Sequence, residues 1–126
     1  MVENNMAKLY KITKNLNQEK AEMLIENLEI AETFLGRAKG LLGRKSLSEN
    51  QALWIKPCNN IHTFFMKFTI DCVFINKSCV VEKIYSKVSP FEIKGPVWKA
   101  NSVIEFSEGI IEKWDIKIGD QLHVVS

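Results

Sequence analysis

From Phe64 to Phe74 apolar and polar positions alternate. Phe64, Met66, Phe68, Ile70, Cys72 and Phe74 share one face of an extended chain, and Phe65, Lys67, Thr69, Asp71 and Val73 share the other. The first face is wholly apolar, and the second turns apolar from Val73 onward. The pattern predicts a central strand spanning Ile61 to Ile75, buried on both sides toward its end. His62, Lys67 and Asp71 lie at its start, and each needs a partner or water there. Asn76-Lys77-Ser78 reads as a hairpin turn, with Cys79 to Lys87 as the returning strand.

The same reading assigns the remaining elements. Ala7 to Thr13 alternates weakly and predicts an edge strand. Asn15 to Lys20 reads as a turn, and Met23 to Ile30 as a second strand. Thr33 to Gly43 predicts a helix, because Phe34, Ala38 and Leu41 recur at helical spacing beside Leu35 and Leu42. Thr33 is its expected N-cap and Gly43 its C-terminal glycine. Gly36 and Gly40 inside it each cost about 1 kcal/mol relative to alanine, and their spacing invites a close neighbour. Ala52 to Ile55 predicts a short strand, Val97 and Trp98 a brief one, Ser102 to Phe106 a further strand with Glu105 embedded in it. Glu108 to Trp114 reads as a helical turn or two capped by Ser107. Gly119-Asp120 reads as a turn before a last strand, Gln121 to Val125. Many short strands with two short helices indicate a mainly β, single-domain sandwich or barrel-like fold over residues 1–126, with residues 1–6 a flexible N-terminus.

Composition narrows the function classes. A chain of 126 residues with 46% apolar residues can bury a full core without staples. A net charge of +2 is too mild to point to nucleic acid or to an anionic membrane. Cys58, Cys72 and Cys79 are odd in number and form no CxxC, so neither a disulfide framework nor a zinc knuckle is indicated. The N-terminal stretch has no apolar signal core, and no run approaches the ~18 apolar residues of a span. The expectation is a cytoplasmic protein.

The run Arg37 to Arg44 (RAKGLLGR), then Leu47, IHTFFMKFTIDCVFI, VIEFSEG and IKIGD together resemble the domain of unknown function 192 family, over about residues 24 to 126. Phe65, Met66 and Lys67, followed by Ile70, Asp71 and Phe74, are the most specific part of that likeness. The resemblance implies a compact β-sandwich or barrel-like domain and implies no reaction. Thr69 stands where members commonly place proline. Many members carry a secretory or lipoprotein-like leader, which is absent from this sequence.

The candidate chemistry is a polar group at the start of the central strand: Arg44, His62, Lys67, Asp71 and Glu105. Along one strand Lys67 and Asp71 would stand about 13 Å apart, so each must find its partner elsewhere. Glu105 is the natural partner for Lys67 or Arg44, whose guanidinium can hold a carboxylate bidentately. His62 shares parity with Phe64 and is expected to point toward the core. Arg37, Lys39 and Lys45 read as a solvated helix face. The plainest reading of the polar group is a structural network. The functional reading is a cleft for a small polar or anionic ligand, which makes the chain a small-ligand-binding or accessory module. An adaptor would instead show an apolar patch around Trp98. An enzyme using His62 and Asp71 would need a nucleophile or activated water beside them, and no nucleophile–base pair stands out. No cofactor or metal is indicated, since one histidine with scattered carboxylates makes a poor ligand set.

Overall fold

A computed structural model describes residues 6–126. Nine strands and two short helices follow in order: β1 (Met6–Lys14), β2 (Glu19–Ala31), α1 (Phe34–Lys39), β3 (Gln51–Ile55), β4 (Ile61–His62), β5 (Ile70–Ile75), β6 (Val81–Val88), β7 (Ile93–Lys94), β8 (Ser102–Ser107), α2 (Ile110–Lys113) and β9 (Gln121–Val125). Seven strands form one sheet in the order β6-β5-β8-β3-β2-β1-β9. Among the described residues only the β2–β3 pair is parallel, because α1 and its following loop carry the chain across between them. The two edges meet at one bridge, Val80 to Gln121, so the sheet curls without closing into a barrel. The fold is mainly β with two short helices, as the pattern of short strands predicts.

Side-chain alternation divides the core into two. Val73 and Ile75 of β5, Ala52 and Trp54 of β3, and Ile104 and Phe106 of β8 belong to one cluster with Leu9, Ile25, Leu28 and Leu122. Cys72 and Phe74, Leu53 and Ile55, and Val103 point the other way, toward Leu41, Leu47, Ile61 and Met66. β5 is buried at every position, which follows from cover on both faces. The β5–β6 hairpin turns at Asn76, whose Oδ1 accepts from the Ser78 and Val80 amides at 2.9 and 3.1 Å.

Several expectations are corrected. β1 is no edge strand: it is flanked by β2 and β9, and β9 takes the edge. Residues 1–5 lie outside the described residues, while Met6 already opens β1. The helix is six residues long, because Gly40 takes a positive φ of 47° and ends it before Gly43. Thr33 does cap it, accepting from the Gly36 amide at 2.9 Å, but Phe34 and Leu35 remain exposed instead of packing into the core. α2 is capped by Gly109, not Ser107. Val97 and Trp98 form a turn, and the brief strand in that region is β7.

The largest correction concerns Ile61 to Ile75, which is not one strand. β4 ends at His62, and β5 begins at Ile70. Buried Thr63 turns the chain aside: its hydroxyl donates to the Ser89 carbonyl at 2.6 Å and accepts from the Glu92 amide at 2.9 Å. The Met66 amide then closes a turn on the Thr63 carbonyl, and Phe65 takes a φ of 66°. Met66, Ile70, Cys72 and Phe74 still reach the same core across this turn, so burial follows the predicted parity although the backbone does not.

Asp71 and Lys67 have separate fates. Asp71 is buried, and its carboxylate accepts from the amides of Lys87 at 2.9 Å, Gly109 at 3.1 Å and Ile111 at 2.9 Å. It thereby ties β5 to the end of β6 and caps α2, where backbone N–H groups otherwise lack partners. Lys67 is exposed, with no ion pair among the described residues. Asp71→Ala is therefore expected to lower the unfolding free energy by about 3 kcal/mol or more, since it strands three amides. Lys67→Ala should change it by no more than about 0.5 kcal/mol. Urea unfolding checks both, and equal effects would contradict the assignment.

Candidate functional site

A cleft of about 610 Å³ opens on the second core's side of the sheet. α1 and Leu41 form one wall, and the loop from Pro57 to His62 forms the other. Buried Ile55 and Glu105 form its floor, and buried Met66 and Ala100 also line it. Glycine shapes it twice. Gly40, at its positive φ, passes over the floor, and a Cβ there would sit 3.9 Å from Glu105 Oε1. Gly95, at φ 98°, lies so close to the opposite wall that a Cβ would stand 2.7 Å from the Asn59 carbonyl. That approach fixes the 57–62 loop against the segment running from β7, an arrangement the Val97 amide completes by donating to the Asn59 carbonyl at 2.8 Å.

Glu105 is the chemically distinctive group. It stands on β8 between Leu53 of β3 and Cys72 of β5 and is only 4% exposed. No hydrogen bond reaches its carboxyl from the described residues. Burial raises its pKa to about 7, against a smaller downward pull from the Arg44 guanidinium. Two thiols share this environment. Burial pushes Cys58 up, opposed by a backbone hydrogen bond at Asn60 and reinforced by Glu105. Cys72 is raised well above its ordinary value by burial first and then by Glu105. Neither thiol has the lowered pKa of a nucleophile.

Of the five residues picked from the sequence, the cleft brings together two, Glu105 and His62. His62 is exposed at the mouth, with its ring stacked on Phe64 at 5.3 Å, and so does not point into the core. Arg44 follows the helix but turns to Glu29 of β2 in a half-exposed ion pair, and reaches Glu105 only through its field. Lys67 and Asp71 lie outside the cleft, for the reasons given above. Arg37 and Lys39, read as a solvated face, both line it. Arg37 donates from Nη1 to the Pro57 carbonyl at 3.2 Å, and its Nε is buried without a partner. The nearest sequence signal for Arg37 was its position between Gly36 and Gly40. Among the described residues no three His, Cys, Asp or Glu side chains converge as a metal site.

The raised pKa of Glu105 has a stability consequence. Between pH 4.5 and about 7 the folded state holds a proton that the unfolded chain has released. This group's contribution is therefore full below pH 4.5 and falls as pH rises through that window, by at most about 3 kcal/mol. Glu105→Gln should remove that fall. Urea unfolding across the window checks it, and an unchanged slope in the variant would contradict it.

Comparison with known proteins places this geometry in a family. A UPF0127 protein of Thermococcus sibiricus is 30% identical over 113 residues, 85% of this chain and 71% of its own length. A UPF0127 protein of Pyrococcus furiosus is 27% identical over 112 residues, 85% of this chain and 94% of its own. Among solved structures, a protein of unknown function from Novosphingobium aromaticivorans superposes with a TM-score of 0.75 at 18% identity, covering 92% of this chain and 83% of that one. Another, from Sinorhizobium meliloti 1021 and named a "putative transcription regulator", gives 0.76 at 14% identity over 98% of both. Those two likenesses show the fold alone. The family model for DUF192, described as Uncharacterized ACR, matches residues 14–124, and the chain belongs to that family.

Proposed function

We propose that this chain is a small-ligand-binding module whose site is the cleft between α1 and the 57–62 loop. One observation carries the reading. Glu105 is a largely buried carboxyl with no hydrogen bond from the described residues, lining a solvent-open cavity. Burial disfavours its charged form, and a ligand that donated hydrogen bonds to it would offset that cost. The cavity volume lies within the range usual for small-molecule sites, and its walls mix aliphatic side chains with a few polar groups. α1 buries none of its own residues, and Phe34 and Ala38 are among those that line the cleft.

Asp71 is committed to backbone amides and His62 stands beside an aromatic ring, so no reaction is assigned to either. No helix among the described residues is long and apolar enough to cross a membrane. The proposed setting is the cytoplasm, where three free cysteines would stay reduced.

An adaptor role is the second reading, favoured by exposed apolar side chains. Trp98 is 82% exposed, and Phe65 packs edge-on against Phe91 at 6.2 Å with both rings largely in solvent.

The test is native mass spectrometry of freshly purified protein, followed by thermal shift across a metabolite panel. The binding module predicts a bound small molecule, or a rise in Tm of about 2 °C or more that Glu105→Gln abolishes. A clean apo mass with no shift would contradict it and favour the adaptor.

A further inference from the structure

The ionisable groups around the cleft are arranged by sign. Among the described residues Glu105 is the one acid lining it, and it lies at the floor. Arg37 and Lys39 stand on the α1 wall, and His62 stands at the mouth. Arg37 spends one N–H on the Pro57 carbonyl and has donors left over. At the floor, the point where a Gly40 Cβ would lie is 3.9 Å from Glu105 Oε1 and 3.8 Å from the Arg37 carbonyl oxygen. Ile55 Cδ1 lies 3.8 Å from the same point, so two acceptors and an aliphatic carbon surround it. Beside these groups the lining is aliphatic, from Leu41, Ile55, Ile61 and Met66.

A ligand carrying only a negative charge would gain from Arg37 and Lys39 and leave Glu105 without a charge partner. A ligand carrying only a positive charge would gain at the floor after passing Arg37 and Lys39. A molecule with both charges a few bonds apart satisfies both ends. Resting on the reading of the cleft as a ligand site, we propose that it takes a small zwitterion, an α-amino acid with an apolar side chain. Its ammonium sits on Glu105, its carboxylate meets Arg37 and Lys39, and its side chain lies against Leu41, Ile61 and Met66.

The charge pattern has a second consequence. An ammonium placed on Glu105 favours the ionised carboxylate, so binding below neutral pH must expel the proton that burial holds there. The charged and titratable groups around Glu105 are Arg44 after α1, Cys58 in the facing loop and Cys72 on β5. Both thiols have raised pKa values, so the carboxyl is the group that gives up the proton.

Isothermal titration of the intact chain at about pH 6.5, in two buffers of different ionisation enthalpy, tests this with three probes: L-leucine, isoamylamine and 4-methylpentanoate. L-Leucine should bind at least about tenfold tighter than either single-charge probe. Its binding should release more than about half a proton. Glu105→Gln, checked by melting to be folded, should weaken leucine about tenfold and abolish the proton release. Arg37→Gln should weaken leucine and leave isoamylamine unchanged. Equal binding of isoamylamine or of 4-methylpentanoate would overturn the zwitterion while leaving a ligand site in place. Absence of binding by all three would also overturn it, and the metabolite panel then decides separately whether the cleft binds anything.

Discussion

A carboxyl buried among aliphatic side chains is stable only if something takes its hydrogen bonds or if it keeps its proton. Glu105 has no hydrogen bond from the described residues, and burial favours its keeping the proton. Its neighbours across the sheet are Leu53 and Cys72, and the chain passes above it at a glycine. A leucine at this position would remove the desolvation cost. Two features that give the cleft its character depend on the carboxyl's being there: the raised pKa of the acid itself and the uneven distribution of ionisable groups in the lining.

Asp71 shows what a structural acid looks like in the same sheet. Cys72 pairs with Glu105, and Asp71, one residue earlier on β5, pairs with Phe106. The two acids therefore occupy opposite faces of adjacent strands. Asp71 meets three backbone amides at the end of β6 and the start of α2 and is spent on holding them. Glu105 meets none. Two carboxyls in apolar strands thus have different roles because only one lies where loop ends bring free N–H groups together.

The sequence carried the strands well where alternation and turn chemistry agreed. The β5–β6 hairpin follows from Asn76-Lys77-Ser78 between apolar runs, and β3, β8 and β9 match their predicted spans closely. It misled where a side chain redirects the backbone. Thr63 breaks the predicted long strand through contacts with residues 26 to 29 positions away, and no local pattern encodes these. Helix length failed as well: Gly40 was read as lying inside the helix and Gly43 as its end, whereas Gly40 takes the positive φ that stops it, and Leu41 just beyond is buried. For the site, Glu105 and His62 were legible as polar groups in apolar surroundings. Arg37 was not, because a basic residue on a short amphipathic segment looks solvated until the facing Pro57 carbonyl is known.

The measurement that bears most directly on this account is a carbon-detected NMR titration of the Glu105 side-chain carboxyl in the unliganded protein. A midpoint near 7 is predicted, as befits an acid buried without a partner. A midpoint near the ordinary 4.5 would contradict it, because such a carboxyl is either solvated or already paired, and the cleft would then have no unmet group at its floor.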